Sequence, residues 1–231
     1  MKYLVSLLAG SLLGALAFLL ALYYNPFAAQ PTISPLSVTQ DRVINLSYSA
    51  VASDGILYTD NGESIIATHP DRVADLWELA IIDTRVFVTM LRGARGEVAG
   101  IGFKISSDSE NTSLLQAEAE ANSVWHVYLP GKGTFLIDQS ENYWTYIHDI
   151  VIPARWSSGD NWKGTFHSIM TSGPGALGIA RVTGGSGEFA GQSTEAVESL
   201  TARAYSALQG PVSMNGSLAI IAPAASANSE Q

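Results

Sequence analysis

The stretch R-V-T-G-G-S-G-E-F-A-G-Q-S runs from Arg181 to Ser193. Gly184, Gly185 and Gly187 crowd four positions, and Gly191 follows. Glycine is favoured where φ turns positive or where two backbones approach closely. Before these glycines, residues 175–183 alternate small residues with Leu177, Ile179 and Arg181; after them, residues 193–205 are rich in Thr, Val, Ala and charge. The pattern predicts a strand, a tight reversal and a returning strand. Phe189 is the one large apolar residue in the turn, and it is expected to plug the end of the core these strands enclose. The competing reading is a phosphate cradle. That would need a helix opening straight after the glycines, yet no helical apolar stripe follows Gly191 and no Gly-Lys-Ser/Thr occurs.

Outward from this hairpin the chain keeps the same character. Residues 43–52 set Ile44, Leu46, Tyr48 and Ala50 against Asn45, Ser47 and Ser49, a half-buried strand. Residues 98–105 form a strand interrupted by Gly100 and Gly102, which predicts close backbone approach or a bend. Residues 106–122 are polar and acidic, a loop with one helical turn. Residues 123–129 and 133–139 form a hairpin about Pro130-Gly131-Lys132, with Val124, His126 and Tyr128 on one face and Trp125, Val127 and Leu129 on the other. Further strands are expected at 83–91 (a helical continuation being the alternative), 143–152, 162–171 and 213–221. The soluble helix is placed at 68–82, where Pro70 sits near the first helical position and Val73, Leu76, Trp77 and Ala80 share a face. About nine or ten strands at hairpin spacing give an all-β fold, an antiparallel β-barrel, closed or nearly closed, of about eight strands with one short helix.

Gly184 to Gly191, G-G-S-G-E-F-A-G, resembles the G-G-T-G-x-F/Y-x-x-A/G segment of the allene oxide cyclase and dirigent barrel superfamily. Two upstream segments fit the same order: G-E-V-A-G-I-G-F from Gly96 to Phe103, and L-P-G-K-G-T-F from Leu129 to Phe135. The resemblance covers residues 36–221. Residues 141–160 stand outside the family's pattern. The resemblance implies a dry barrel cavity that shapes a small apolar molecule, with cyclase or isomerase chemistry or radical guidance rather than a strong catalytic group. It also implies self-association through barrel faces, as a homo-oligomer.

Composition narrows the partners. The chain has 231 residues, 47% hydrophobic and only 14% charged, enough apolar content for a packed core. The net charge of −9 argues against a nucleic-acid partner, whose phosphates demand Lys and Arg clusters. With no cysteine there is no disulfide, thiolate metal site or cysteine nucleophile. No metal site is expected, because none of His69, His126, His148 and His167 has ligand spacing, and no cofactor is called for.

After Lys2, residues 3–24 contain no charge and at helical rise would span about 30 Å, a bilayer core. Tyr23 and Tyr24 fit an interfacial anchor. The favoured reading is an uncleaved transmembrane anchor at 1–24; a cleaved signal segment is the alternative, and 25–30 offers it only a poor site. No Lys or Arg follows until Arg42, so the positive-inside bias puts the N-terminus in the cytoplasm and the rest outside, periplasmic or extracellular. A Pro-containing tether at 25–37 leads to the barrel at 38–222 and a disordered tail at 223–231.

The densest polar-aromatic cluster is Tyr143, Trp144, Tyr146, His148 and Asp149. On a strand, Trp144, Tyr146 and His148 share a face and Asp149 points away, which disfavours a His148–Asp149 dyad. Tyr146 and His148 are the catalytic candidates; Trp144, Tyr128, His126 and Phe189 are the substrate-binding candidates. The alternative is that the aromatics fill a core or a protomer contact. Glu195 and Glu198 face opposite sides, and Glu198, Arg181 and Arg203 read as a solvated face or cross-strand ion pairs. The expected function is a membrane-anchored exported barrel that holds an apolar small molecule or lipid, as a cofactor-free isomerase or cyclase, or else as a non-catalytic binding or structural envelope protein.

Overall fold

The computed structural model describes residues 2–24, 42–59, 83–110 and 112–222. Its elements are helix α1 (Lys2–Tyr23), strands β1 (Arg42–Ser49), β2 (Leu57–Thr59), β3 (Arg85–Arg92), β4 (Val98–Asp108), β5 (Glu120–Leu129) and β6 (Gly133–Asn142). There follow α2 (Trp144–Tyr146), a π turn (Ile147–Val151), α3 (Ile152–Trp156), β7 (Asn161–Ile169), β8 (Thr171–Gly173), β9 (Ala180–Gly187), β10 (Ser193–Ser206) and β11 (Gly210–Ala222). The expected helix at 68–82, the tether and the tail lie outside the described residues.

The strands pair antiparallel in the order β1-β11-β10-β9-β6-β5-β4-β3, and β3 returns to β1 where Ser47 faces Arg92. Eight strands therefore close a ring, as the hairpin spacing predicts. β2, β7 and β8 pair the same edges of β3, β10 and β6 that β1 and β9 pair, and so extend the wall beyond the ends of those two strands.

One end of the ring is filled. Trp125, Val127, Leu129, Phe135, Ile137, Leu91 and Leu218 are buried there, and Phe189 packs edge-on against Phe135 with ring centroids 4.9 Å apart. Phe189 thus plugs that end from the β9–β10 turn. The glycines before it do something other than reverse the chain. Gly185 is skipped in the pairing with β6, a bulge between Thr134 and Phe135, and the reversal comes later, at Glu188–Gly191. On β4, a side chain at Gly102 would meet the Trp125 ring at 2.8 Å, so the missing Cβ makes room for the indole of the neighbouring strand β5.

The strand expected at 143–152 is helical. Asn142 Oδ1 accepts the Trp144 backbone N–H at 2.9 Å, a side-chain cap at the entry to the segment. Ile150 and Ala154 then bury one helical face with Tyr143, Tyr146 and Val151 against Phe166, Leu200, Ala202, Tyr205 and Met214 of β7, β10 and β11. Packing of that 3.6-period face outweighs the β-propensity of its Ile, Val and Tyr residues. Pro153 is the second residue of α3, in the first turn, where its missing N–H costs less than in a helix interior.

In α1, Tyr3–Ala21 is long and apolar enough to cross a membrane, and none of it is buried in the domain.

Candidate functional site

The unfilled end of the ring holds a cavity of about 700 Å³. Its walls are Tyr48, Ala50, Phe87, Ala121, Tyr146, Ile147, Leu200 and Met214, and Lys104, Tyr143 and Glu198 are exposed to it. Between this cavity and the packed end lies a layer of charge. Lys104 donates to Glu141 Oε1 at 2.6 Å and to both oxygens of Glu198 at 2.9 and 3.0 Å. Its ammonium also stands 5.4 Å above the Trp125 ring. Glu198 further accepts from Trp125 Nε1 at 2.9 Å, from the Tyr48 hydroxyl and from the Gln139 amide. Thr171 Oγ1 fixes the Glu198 backbone N–H at 2.8 Å, and Ser123 Oγ holds the Gln139 amide at 3.1 Å. Tyr143 donates its hydroxyl to Glu141 Oε1 at 3.1 Å, while Glu141 Oε2 is buried with no partner among the described residues.

Both carboxylates are fully buried, so their protonation is set by their neighbours. For Glu198, burial pushes upward, but the Lys104 charge and the hydrogen bonds from Tyr48, Trp125 and Lys104 outweigh it and hold the carboxyl below its usual value. For Glu141, burial wins over Lys104, with the Glu198 charge adding to it, and the carboxyl is held high. Burial would lower Lys104, yet Glu141 and Glu198 keep it well above its usual value. Burial and the adjoining carboxylates likewise raise the Tyr48 and Tyr143 hydroxyls. These directions describe one balanced ion pair, Lys104 with Glu198, beside a carboxyl that keeps a proton more readily. Such a set places a fixed cation and a hydroxyl at the floor of a chamber whose lining also includes Arg85, Ser106, Asp108, Ser109, Thr112 and Glu120.

The sequence candidates scatter around this site. Tyr146 lines the cavity. His148 does not; its ring stacks on Tyr23 at 4.6 Å, and its Nε2 bonds the Tyr23 carbonyl at 3.0 Å, at the end of α1. Trp144 stands beside His148, 6.1 Å between ring centroids, and also off the cavity. The shared strand face of Trp144, Tyr146 and His148 is therefore corrected. So is the reading that disfavoured a His148–Asp149 pair, because on the helical surface Nδ1 lies 2.6 Å from the Asp149 carboxylate. His126 and Tyr128 are on the outer wall of β5, since the inward alternation belongs to Trp125, Val127 and Leu129. Phe189 is in the packed end, away from the chamber. Glu198 is neither solvated nor paired to a neighbouring strand: its partner Lys104 comes from across the ring.

Lys104 and Glu141 were not legible as site residues. On β4 the large apolar residues Ile101, Phe103 and Ile105 alternate with Gly100, Gly102 and Lys104, and the inward face is the glycine and lysine one. The signal that could have found it is the neighbouring strand: the bulky Trp125, paired with Lys104, needs a glycine diagonally beside it at Gly102. Among the described residues no group of three His, Asp or Glu side chains could hold a metal ion. No protein-family model matches the chain, and no curated protein matches it either.

Proposed function

We propose that this protein is a membrane-anchored, exported domain that holds an apolar small molecule in its chamber and rearranges it without a cofactor, as an isomerase or ring-closing enzyme of the allene oxide cyclase type. The observation that carries this reading is the 700 Å³ cavity floored by Lys104, Glu198 and Tyr143. That volume falls within the roughly 300–1,000 Å³ of small-molecule sites. In a dry chamber orientation alone removes much of a barrier. The Lys104 cation suits an oxygen on which negative charge develops. The Tyr143 hydroxyl faces the same space, and Glu141 behind it is placed to exchange its proton. Tyr146 packs the wall. The uncharged α1, with Lys2 at its start and no Lys or Arg before Arg42, supports an anchor with the N-terminus in the cytoplasm and the barrel outside.

A second reading is binding without turnover. It is favoured by saturation of the cluster: Lys104 spends three donor contacts on Glu141 and Glu198, and both Glu198 oxygens are occupied. Incubation of the full chain with racemic apolar epoxides separates the two. Product of one handedness, with rate and selectivity reduced in Tyr143→Phe, supports the enzyme. An unchanged rate with racemic product, alongside saturable binding, leaves the carrier.

A further inference from the structure

The two ends of the ring differ in what their loops expose. At the packed end, the β3–β4, β5–β6 and β9–β10 turns carry no exposed large apolar side chain; Arg95, Lys132 and Glu188 stand there instead. At the cavity end, three separate connections each present one to solvent. Leu115 lies between β4 and β5 at 66% exposure, Trp156 at the end of α3 at 76% and Leu208 between β10 and β11 at 72%. Ile56, before β2, is a fourth. Leu177 stands instead on the side wall where β8 gives way to β9, level with Asp138 and Ser140 of β6. Exposed apolar residues scattered singly need no explanation, and others stand on the outer wall of β3 to β6, Phe103, Ile105, Val124, Tyr128 and Leu136 among them, with Val98 at the start of β4; the ones named above differ in sitting in the connections at the cavity end.

α1 meets the domain at the same end. None of the span Tyr3–Ala21 is buried, while Tyr23 at the end of α1 stacks on His148 and lies 5.9 Å from the Trp156 ring. His148 and Trp156 belong to the helical segment whose Tyr146 and Ile147 wall the cavity. The point where the apolar helix ends is thus the point where the cavity end begins. Trp156, Tyr23 and Tyr24 have the amphipathic rings that gather at headgroup depth. Covalent reach permits the arrangement. β1 starts at the packed end, and residues 25–41, at no more than about 3.4 Å each, can return past a ring whose ten-residue strands are about 34 Å long.

We propose that the cavity end of the ring is a membrane-seated face: Leu115, Trp156 and Leu208 enter the lipid interface around the cavity, and the chamber takes its molecule from the bilayer. This rests on the anchor part of the proposed function and is independent of any turnover. The occupant is the lipid surface, chosen because the apolar span leads directly onto this face.

The absence of cysteine makes the test clean. Single Leu208→Cys and Ala190→Cys variants of the full chain, exposed at the cavity end and the packed end, are spin-labelled and reconstituted in phosphatidylcholine vesicles. Collision with oxygen, which concentrates in lipid, is compared with collision with a water-soluble nickel chelate. The expected result is severalfold preference for oxygen at Leu208→Cys and the reverse at Ala190→Cys. Chain that floats with the vesicles while both labels meet the chelate equally overturns the seating and leaves the anchor standing. Dipolar broadening between Leu208→Cys labels replaces the lipid with a second copy of the chain and also overturns it. Chain that fails to float with the vesicles removes the anchor and the seating together, without touching the binding of an apolar molecule by the barrel.

Discussion

Lys104→Met is the perturbation that bears most heavily on the buried cluster. It removes a cation that makes contacts of 2.6, 2.9 and 3.0 Å to two fully buried carboxylates. Breaking a buried ion pair by deleting one partner costs about 3–5 kcal/mol, because the remaining charge stays desolvated. Two features pull the expectation to about 3 kcal/mol, the lower end. Glu141 is already held high and takes up a proton when Lys104 goes, and Glu198 keeps the donors of Tyr48, Trp125 and Gln139. Against a total stability of about 5–15 kcal/mol this is a large loss, but one a folded chain can survive. Adding Glu198→Gln removes the orphaned charge, so the double variant should cost about 1–2 kcal/mol less than the sum of the two single ones. Urea unfolding of the full chain in mild detergent, followed by tryptophan fluorescence, reads all three. A Lys104→Met cost below about 1 kcal/mol would mean that the carboxylates are neutral or hydrated, and would refute the reasoning. So would strict additivity.

The pH dependence has a definite sign on each side. Lys104, Tyr48 and Tyr143 are all held above their usual values, so above about pH 10 the unfolded chain releases protons that the folded chain keeps, and the urea midpoint should fall with rising pH. Glu198, held low, contributes stability above about pH 4.3 that drains away on acidification, while Glu141, held high, opposes it in the same region. A shallow acid limb and a steep alkaline one are therefore expected, and a midpoint flat from pH 9 to 11 would be inconsistent with the cluster. In the glycine-rich stretch, a methyl at Gly184 overlaps the Phe189 backbone carbonyl, whereas at Gly185 the nearest atom is the rotatable Thr134 hydroxyl at 2.8 Å. Gly184→Ala should cost upwards of about 3 kcal/mol and Gly185→Ala about 1 kcal/mol by the same unfolding measurement, and equal costs would contradict the register.

The closed all-β architecture was legible because antiparallel hairpins write themselves locally: two-residue alternation, turn glycines and short loops recur from residue 43 to 221. Phe189 was legible for the same reason, as a lone bulky residue in a glycine-rich turn. What failed was anything that depended on which face of a strand points inward. Phe103 and Ile105 look like core and face outward, while Gly102 and Lys104 look dispensable and face the interior. Alternation gives two faces but not their direction; that is decided by the volume of Trp125 on the neighbouring strand. The helical segment failed differently. Tyr143, Ile147, Ile150, Val151 and Ile152 favour a strand one by one. The spacing of Tyr146, Ile150 and Ala154, with Asn142 as the cap, carried the better signal. Because the cavity wall depends on that segment, His148 and Trp144 were assigned to the wrong surroundings.

The central claim, a chamber that accepts an apolar molecule above the Lys104–Glu198 pair, is tested most directly by filling it. Ala121 is buried on the cavity wall, so Ala121→Phe places a ring in the space. Full-length wild-type and Ala121→Phe chains in matched nanodiscs are titrated with the neutral probe N-phenyl-1-naphthylamine, with empty nanodiscs as background. The account predicts a saturable component of one probe per wild-type chain that disappears in Ala121→Phe while the unfolding free energy stays within about 1 kcal/mol of wild type. Equal saturable binding by both chains, or none by either, would contradict it.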